Sequence, residues 1–368
     1  MSFFDNPSLS NNRCKVFVSG ASGFLGQHIV KLLQEEDDTV ESIVCFDLKP
    51  YHNNLGHNTD KPMKFIGGDI KDYRLLVRAL EGIDCVIHCA AKVSYELDCN
   101  DGEIFTVNVD GTEVLLDAVI ESNTRYFVHV SDVAVVCGQD PIYYGAENTT
   151  MIPKKFTLDA YAKSKYESEL RVAKRNGQPL KNGSRLSTVI LRPTLLYGEG
   201  DPYFITEMLK IAKQSNGILQ RVDNIFTRTH VTYVGNAAWA CIKAKDRLRT
   251  DPRIGGEEFF ITDDTPVQDP FEFAKSFMES RDFKLSPKAI PFWILMIYLN
   301  FLMLLALAVK PFYRINIAEK MNHRKIRYLN TTYFFNRTKA ILRLVYEPRY
   351  TPDESLQRSA KYYKYLEF

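Results

Sequence analysis

Short runs of apolar residues alternate with helical patterns over the first two-thirds of the chain. Six runs rich in Val, Ile and Phe predict strands: Lys15–Ser19, Ser42–Asp47, Met63–Ile66, Cys85–Cys89, Tyr126–Ser131 and Thr188–Arg192. Between them, apolar residues recur at helical spacing in four segments: Gly23–Glu35, Tyr73–Leu80, Phe105–Glu121 and Ala160–Lys174. Strands that alternate with helices predict an α/β fold: a doubly wound, Rossmann-type parallel sheet with helices on both faces.

The pattern becomes irregular after Pro193, where several Gly and Pro residues between Gly198 and Gly217 interrupt it. A chain of 368 residues also exceeds what one hydrophobic core usually organises. We therefore expect a Rossmann domain over residues 1–198 and a smaller substrate lobe over residues 199–288, part of which returns to the sheet.

One segment, residues 289–309, carries no charge and is apolar for most of its length. About twenty such residues suit the hydrocarbon core of a bilayer. Trp293 and Tyr298 lie towards its start, and three basic residues follow its end, as in an interfacial anchor: Lys310, Arg314 and Lys320. The segment therefore predicts membrane anchoring, with a buried core helix as the alternative.

Composition limits the classes of protein to which the chain can belong. Hydrophobic residues make up 45% and charged residues 25%, which excludes a wholly disordered or fibrous chain. The net charge of +2 gives no basic field for nucleic acid as the main partner. Seven cysteines lack the spacing of a metal site, so we expect no metal and a reducing compartment. Met1–Arg13 has no signal-peptide core, so we expect the catalytic part to face the cytosol.

The first predicted strand runs directly into a glycine-rich turn that opens the first helix. Gly20, Gly23 and Gly26 follow the pattern G-x-x-G-x-x-G. Glycines at this spacing allow a tight turn, a close approach of backbone N–H groups to a pyrophosphate, and close packing of the helix on the sheet. The positive end of the helix dipole favours the same anion. The turn therefore predicts dinucleotide binding, with further contacts from its other residues: Ser22, Phe24 and Leu25.

Acidic and small residues end the next three strands. Asp47 ends the second strand, where a carboxylate can accept both hydroxyls of the adenosine ribose and would repel a 2′-phosphate. This favours NAD over NADP, although Lys49 close by could tolerate the phosphate. The ends of the third and fourth strands supply a carboxylate for the adenine amino group and room for a ribose. We expect cofactor contacts from these residues: Asp69, Ile70, Ala90 and Ala91.

A phenol and an ammonium lie four residues apart in the helix after the fifth strand. Tyr161 and Lys165 therefore share one helical face, and no other of the 20 tyrosines has Lys at this spacing. A free tyrosine has a pKa of about 10, but a nearby ammonium and the positive nicotinamide favour the phenolate and lower that pKa. The pair predicts a base for the hydroxyl proton of an alcohol, with Lys165 also holding the ribose. Ser131, at the end of the fifth strand, is the candidate donor to the substrate oxygen.

Together these features resemble the extended short-chain dehydrogenases, and most closely the 3β-hydroxysteroid dehydrogenase/isomerase family, over nearly the whole chain. The motifs that carry the resemblance are the glycine turn, Asp47, Gly68–Asp69, His88–Ala91, Asn108–Thr112, Tyr161–Lys165, Leu191–Gly198 and His230–Ala238. The resemblance implies that Tyr161 is the acid/base and Lys165 its activator. It also implies that Pro193 borders the nicotinamide and that Asn108 stabilises the active site from its helix. The stretches 335–340 and 346–355 resemble the C-terminal part of the family, which implies that residues 310–368 pack back on the catalytic body. A homodimer is compatible with it.

The sequence departs from the family at the end of the fifth strand. The family usually carries two adjacent hydroxyl residues there, and the second is the donor. Here the two residues are Ser131 and Asp132. Either Ser131 serves as the donor or Asp132 occupies the catalytic position. A carboxylate beside a phenolate would raise the pKa of the tyrosine and slow catalysis.

The resemblance implies NAD-dependent oxidation of a 3β-hydroxysteroid or sterol to the 3-ketosteroid, with Δ5-to-Δ4 isomerisation as a further family activity. Because sterols partition into lipid, we expect association with a membrane surface through a monotopic or re-entrant anchor. The endoplasmic reticulum is the first expectation and the mitochondrial membrane the second. Three alternatives remain: a decarboxylating sterol 4-carboxylate 3-dehydrogenase, a nucleotide-sugar epimerase or reductase, and an NAD-binding regulatory protein with little turnover.

Overall fold

The computed structural model describes residues 13–94, 100–223, 227–309 and 323–368. Fifteen strands lie in these ranges: β1 (Cys14–Ser19), β2 (Val40–Asp47), β3 (Met63–Gly67), β4 (Cys85–His88), β5 (Tyr126–Val130), β6 (Ile142–Gly145), β7 (Ser187–Pro193), β8 (Leu195–Tyr197), β9 (Ile218–Leu219), β10 (Val222–Asp223), β11 (Val231–Tyr233), β12 (Glu258–Ile261), β13 (Lys284–Leu285), β14 (Ile290–Pro291) and β15 (Tyr333–Phe335). The α-helices in the same ranges are α1 (Phe24–Glu35), α2 (Tyr73–Ala79), α3 (Asp101–Phe105), α4 (Gly111–Glu121), α5 (Asp159–Arg175), α6 (Ile205–Gln214), α7 (Val234–Thr250), α8 (Pro270–Glu279), α9 (Phe292–Val309), α10 (His323–Leu329) and α11 (Pro352–Tyr365).

Seven strands form one parallel sheet in the order β12-β7-β5-β4-β1-β2-β3. Six of them are the strands that the apolar runs predict, with ends that differ by at most two residues, so the Rossmann-type sheet is confirmed. The sequence pattern misses β12 because its apolar run is so short. The strand order reverses between β4 and β1, and ligands of open parallel sheets bind at the carboxyl ends beside such a reversal.

The sheet is covered on both faces because neighbouring residues of a strand point in opposite directions. Val16 and Val18 of β1 pack in a buried cluster with side chains of α1 and α7, such as Ile29. Phe17 between them packs in a second cluster with side chains of α2 and α4, such as Leu116. Each face therefore carries its own helices, and α1 contacts α7 while α4 contacts α5.

A smaller lobe follows strand β7, and its buried side chains belong to a third hydrophobic cluster. Three pairs of parallel strands accompany it: β8 with β11, β9 with β13, and β10 with β14. Buried aromatic side chains lie between α6 and α8 and beside them: Tyr197, Phe204, Phe273 and Phe277. Within residues 199–288, α7 packs on the sheet and β12 joins its edge. Within residues 323–368, β15 pairs with β6 and α11 contacts α8.

Helix α9 occupies most of the apolar segment 289–309 and is buried along one side only. Three of its side chains pack in the core of the lobe: Leu295, Met296 and Leu299. Large apolar side chains on its other sides are exposed: Trp293, Ile294, Ile297, Tyr298, Phe301, Leu304 and Leu305. No helix in the described ranges combines the length and the apolar character that crossing a bilayer would require. The predicted basic flank, within residues 310–322, and residues 1–12 lie outside the described residues.

Candidate active site

A cleft with a volume of about 680 Å³ lies at the carboxyl edge of the sheet. Loops after six of the seven sheet strands and one face of α5 line it, because parallel strands bring their carboxyl ends to one edge. All but one of the site residues expected from the sequence line this cleft: Gly20, Ser22, Gly23, Phe24, Leu25, Gly26, Asp47, Asp69, Ile70, Ala90, Ala91, Ser131, Tyr161, Lys165 and Pro193. Asn108 lies outside its lining.

The glycine turn leaves no room for side chains at two of its positions. Gly20 has a φ of +74°, and a Cβ there would lie 2.7 Å from the backbone of Ala90. A Cβ on Gly26 would lie 2.0 Å from the carbonyl oxygen of Gly20. Helix α1 follows Gly23, its N-cap, and no side chain caps its first N–H groups. Because Gly23 and Phe24 line the cleft, these N–H groups can hold a pyrophosphate.

The carboxylate of Asp47 braces the turn and borders the cleft. Its Oδ2 accepts a hydrogen bond from the backbone N–H of Ser22 at 3.0 Å, and its Oδ1 accepts one from the N–H of Lys49 at 3.0 Å. Each carboxylate oxygen has a second acceptor site, so the group can still receive two ribose hydroxyls. Asp69 also lines the cleft and forms an ion pair with Lys71 at 3.5 Å. Both carboxylates, Asp47 and Asp69, therefore line the cleft at the strand ends where the sequence predicts them.

Tyr161 and Lys165 are both buried on the cleft face of α5. The Lys165 ammonium donates to the carbonyl oxygen of Val130 at 2.7 Å, which fixes it beneath the end of β5. Burial lowers the pKa of Lys165 to about 8, although the carboxyl groups of Asp132 and Glu169 act in the opposite direction. The Tyr161 hydroxyl donates to Oδ2 of Asp132 at 3.1 Å. The structure thus places Tyr161 and Lys165 on one side of the cleft, as their spacing predicts. The carboxyl group of Asp132 lies beside them.

Ser131 has a buried hydroxyl that forms no hydrogen bond within the described part of the chain. Its backbone N–H donates to the carbonyl oxygen of Leu191 at 2.7 Å, so its position is fixed by the neighbouring strand β7. A buried polar group normally has a partner, and leaving it without one costs about 1–3 kcal/mol. Because Ser131 lines the cleft, a substrate or cofactor oxygen can supply that partner.

The side chain of Asn108 lies outside the cleft lining and links the loop after β4 to helix α5. It lies in a π-helical turn, Thr106–Asp110, that joins α3 to α4. Its Oδ1 accepts from the N–H of Lys92 at 2.7 Å, and its Nδ2 donates to the Lys92 carbonyl at 3.1 Å and to the Ser164 hydroxyl at 2.9 Å. These bonds tie the loop after β4 to α5. The structure thus places Asn108 as a positioning residue, and its role in catalysis stays a prediction.

A buried ion pair supports the same helix one turn further along. The guanidinium of Arg192 donates to both carboxylate oxygens of Glu169, at 2.9 and 2.7 Å. The two side chains are only 9% and 3% exposed. The pair fastens α5 to β7, and the next residue of β7, Pro193, lines the cleft. Sequence patterns give no sign of it because its members lie on different elements.

The cleft wall beyond Tyr161 is mostly apolar, and the sequence prediction did not include it. It is lined by Val93, Leu158, Leu195, Leu196, Tyr203, Phe204, Tyr328 and Leu329. Its two cations are both ion-paired: Lys92 with Glu103, and Lys325 with Glu207 at 2.7 Å. Leu195 and Leu196 belong to a motif singled out in the sequence, whereas α10 reaches the cleft only through the tertiary fold.

The loop between β8 and α6 is organised by one buried carboxylate. Asp201 accepts backbone N–H groups of Phe204 at 3.0 Å and of Ile205 at 2.8 Å, which holds Phe204 against the cleft. The hydroxyl of Tyr363 donates to Asp201 at 3.1 Å and accepts the N–H of Gly198 at 2.9 Å. A residue of α11 thus completes the hydrogen bonding of the loop that carries Phe204 of the apolar wall.

Comparison with known proteins gives one family and one fold. A family model described as the 3-beta hydroxysteroid dehydrogenase/isomerase family matches residues 17–292. MoeE5 in complex with UDP-glucuronic acid and NAD has a TM-score of 0.67 and 18% identity, over 95% of this chain and 98% of that one. An epimerase from Methanothermobacter thermautotrophicus has a TM-score of 0.71 and 18% identity, over 96% and 93%. DesIV, a dTDP-glucose 4,6-dehydratase from Streptomyces venezuelae solved with NAD bound, has a TM-score of 0.68 and 20% identity, over 95% and 97%.

These likenesses establish the fold, and the family match agrees with the resemblance read from the motifs. The NAD in two of the three structures agrees with the cofactor expected from the sequence. The first of those two structures holds UDP-glucuronic acid, and the second is named for dTDP-glucose.

Proposed function

The chain belongs to the 3-beta hydroxysteroid dehydrogenase/isomerase family, and on that premise we propose that it oxidises a 3β-hydroxysteroid or sterol to the 3-ketosteroid with NAD. One observation carries the proposal. Tyr161 and Lys165 share a cleft with the glycine turn, and the cleft wall beyond Tyr161 is mostly apolar. A dinucleotide site and an apolar substrate site therefore meet at a phenol that can exchange a proton.

The residues of the turn and the strand ends fit NAD. The crowding around Gly20 and Gly26 keeps the backbone close enough for the uncapped start of α1 to receive a pyrophosphate. Asp47 would bind the adenosine ribose, and Lys165 would bind the second ribose. Bound NAD would accept the hydride. Because Asp47 presents a negative charge where a 2′-phosphate would sit, the site favours NAD over NADP.

Two residues would act on the oxygen of the substrate. Tyr161 would take the proton of the 3β-hydroxyl group, and the charge of Lys165 would favour that transfer. Ser131 would donate to the developing carbonyl oxygen, which would give its buried hydroxyl the partner it lacks within the described residues.

The wall beyond Tyr161 favours a sterol over a nucleotide sugar. A nucleotide sugar carries a diphosphate, which needs donors or cations without other partners. Lys92 and Lys325 are each engaged by a glutamate, whereas leucine and aromatic side chains supply most of the surface. The fold neighbours that are solved with UDP-glucuronic acid or named for dTDP-glucose support the other class, so an epimerase or reductase stays the second candidate.

The same cleft could serve two related outcomes. A Δ5-to-Δ4 isomerisation after the oxidation rests on the family alone. A carboxylate at C4 of the sterol would instead be lost as carbon dioxide once the 3-ketone has formed, because the ketone accepts the electron pair of the breaking bond. Product analysis separates the two outcomes.

We further propose that α9 rests on a membrane surface, at the endoplasmic reticulum or, as second choice, a mitochondrial membrane, with the cleft facing the cytosol. Trp293, Ile297, Phe301 and Leu304 recur at helical spacing and are 64%, 62%, 61% and 64% exposed. An apolar helix face of this kind enters the interface of a bilayer. The double substitution Ile297→Ser/Phe301→Ser should reduce co-sedimentation with phosphatidylcholine vesicles. The control Met151→Ser changes an 85% exposed side chain elsewhere and should not; equal loss in both would contradict the proposal.

The experiment that tests the function is NAD reduction by the full chain against a panel of alcohols. The panel holds a 3β-hydroxy-Δ5-steroid, a 4-carboxysterol and a UDP-sugar, each with NAD and with NADP. We expect formation of reduced NAD with a sterol, and its loss in Tyr161→Phe while NAD still binds. Conversion of the UDP-sugar alone, followed by product analysis with oxidised and with reduced cofactor because an epimerase causes no net reduction of NAD, would select the epimerase or reductase. NAD binding without any rate sensitive to Tyr161→Phe would select a regulatory protein.

A further inference from the structure

The end of β5 places a carboxyl group directly on the phenol of the catalytic pair. Asp132 caps a short 3₁₀ turn, Val133–Val135, and its Oδ1 accepts the N–H of Ala134 at 2.8 Å. Its Oδ2 accepts the hydroxyl of Tyr161 at 3.1 Å. The cap fixes the carboxyl group, so the bond to the phenol does not depend on a flexible side chain. Both residues line the cleft.

One proton lies in this hydrogen bond between the phenol and carboxyl oxygens. When Tyr161 donates to Asp132, the phenol keeps its proton and Asp132 is the carboxylate. Asp132 is then a proton acceptor in direct contact with the phenol, in addition to the substrate oxygen that the phenol would meet in the cleft. The pair therefore differs from an isolated tyrosine, which must lose its proton to solvent before it can act as a base.

We propose that Asp132 accepts the phenolic proton of Tyr161 while Tyr161 takes the hydroxyl proton of the substrate. The step rests on the proposed oxidation of an alcohol. The substrate O–H bond breaks as a new Tyr161 O–H bond forms, and the original Tyr161 O–H bond breaks as an O–H bond forms on Asp132. The electron pair of the C3–H bond leaves as hydride to NAD, the alcohol becomes the ketone, and Asp132 passes its proton to solvent after product release.

The charges around the pair fit this role. Besides Tyr161, the ionisable groups that face Asp132 are Lys165 and Glu169 of α5 and the Cys137 thiol beyond the 3₁₀ turn. Burial raises the pKa of Asp132, while its two hydrogen bonds and Lys165 act in the opposite direction. A carboxyl group with a raised pKa lies nearer to a phenol in proton affinity, which eases transfer between them.

The inference predicts the pH dependence of the rate. Oxidation needs Asp132 as carboxylate, so activity falls as pH decreases through its raised pKa. Without that carboxylate, Tyr161 must be ionised first, and the fall in activity moves to higher pH. Asp132→Asn removes the carboxylate that can accept a proton, with little change in shape. Asp132→Ser restores the hydroxyl of the family pattern, and Asp132→Glu keeps a carboxylate.

A titration without substrate tests the pair itself. The absorbance of the Tyr161 phenolate is obtained in the NAD complex as the difference between each enzyme and its Tyr161→Phe counterpart. Removing a neighbouring negative charge favours the phenolate, so we expect Tyr161 to ionise at a pH lower by about one unit or more in Asp132→Asn and Asp132→Ser. An unchanged ionisation in both variants would overturn the inference. NAD affinity and thermal unfolding verify that each variant is folded.

The rates then test the transfer. At neutral pH we expect steroid oxidation by Asp132→Asn to fall about a hundred-fold, with the gap closing as pH rises, and Asp132→Glu to recover part of it. A loss of the same size at every pH would mark a purely structural role and overturn the transfer. If the wild-type chain oxidises no steroid, the proposed function fails, while the titration still decides whether Asp132 and Tyr161 share the proton.

Discussion

The substitution Gly26→Ala tests whether the glycine turn is the part of the molecule that holds the cofactor. The new Cβ would lie 2.0 Å from the Gly20 carbonyl oxygen, so the two must separate by about 1 Å to reach even a 3.0 Å contact. That movement displaces a carbonyl that accepts the N–H of Gly23 at 3.0 Å, and it strains the bond from the Gly20 N–H to Phe46 at 2.8 Å. Because NAD requires the native turn, its binding must restore these two backbone hydrogen bonds at about 1 kcal/mol each, which predicts a loss of about 2 kcal/mol, or a roughly 30-fold weaker affinity for NAD.

The control is Gly82→Ala, at a glycine with a φ of +70° and nothing within 4 Å of a new Cβ. It carries the cost of a left-handed backbone, about 1–2 kcal/mol, at a position outside the cleft. Calorimetric titration with NAD and thermal unfolding are measured for both variants. We expect Gly82→Ala to unfold at a lower temperature and bind NAD like the wild type. A folded Gly26→Ala variant that binds NAD within about threefold of the wild type would refute the reasoning.

Three further predictions test the rest of the site. Asp47→Ser should raise the ratio of kcat/KM with NADP to that with NAD by about tenfold or more, because the repelling charge is gone; an unchanged ratio would refute the role of Asp47. The affinity of the wild type for NAD should fall as pH rises through about 8, where Lys165 loses its charge. Lys165→Met should bind NAD more weakly and without that dependence; the same pH slope in both would assign it to another group. Glu169→Ala should reduce the free energy of unfolding by about 3–5 kcal/mol because it leaves the Arg192 charge buried, and Glu169→Leu/Arg192→Met should recover most of the loss in denaturant titrations. A double variant no more stable than the single one would contradict this account.

The sheet and the cofactor half of the cleft could be predicted from the sequence because their signals are local. A strand buried on both faces is a continuous apolar run, and the turn needs glycines at fixed spacing whatever surrounds it. Parallel strands then bring Asp47, Asp69 and Ala90 to one edge without further information. The Tyr161 and Lys165 pair is local in the same sense, since one helical turn separates the two residues.

The substrate half could not be predicted in the same way. Its wall draws on the loop after β8 and on α10, which are far apart in the chain and carry no shared pattern. Helix α9 shows the same limit, because an apolar run alone does not reveal that Leu295 packs inward while Ile297 is exposed. The sequence likewise shows Asp132 as a departure from the family, but only the fold reveals its hydrogen bond to Tyr161.

The hydrogen bonds of Tyr363 imply an order in which the parts of the cleft form during folding. Its hydroxyl meets Gly198 across 165 residues of sequence, and contacts of such long separation form late because the intervening chain must first be closed into a loop. On a ribosome, the glycine turn and Asp47 emerge and pair with their strands long before α11 is synthesised. A nascent chain can thus acquire the dinucleotide pocket while Asp201 still lacks its tyrosine, so the apolar wall that Asp201 supports is completed after the glycine turn and Asp47 are in place.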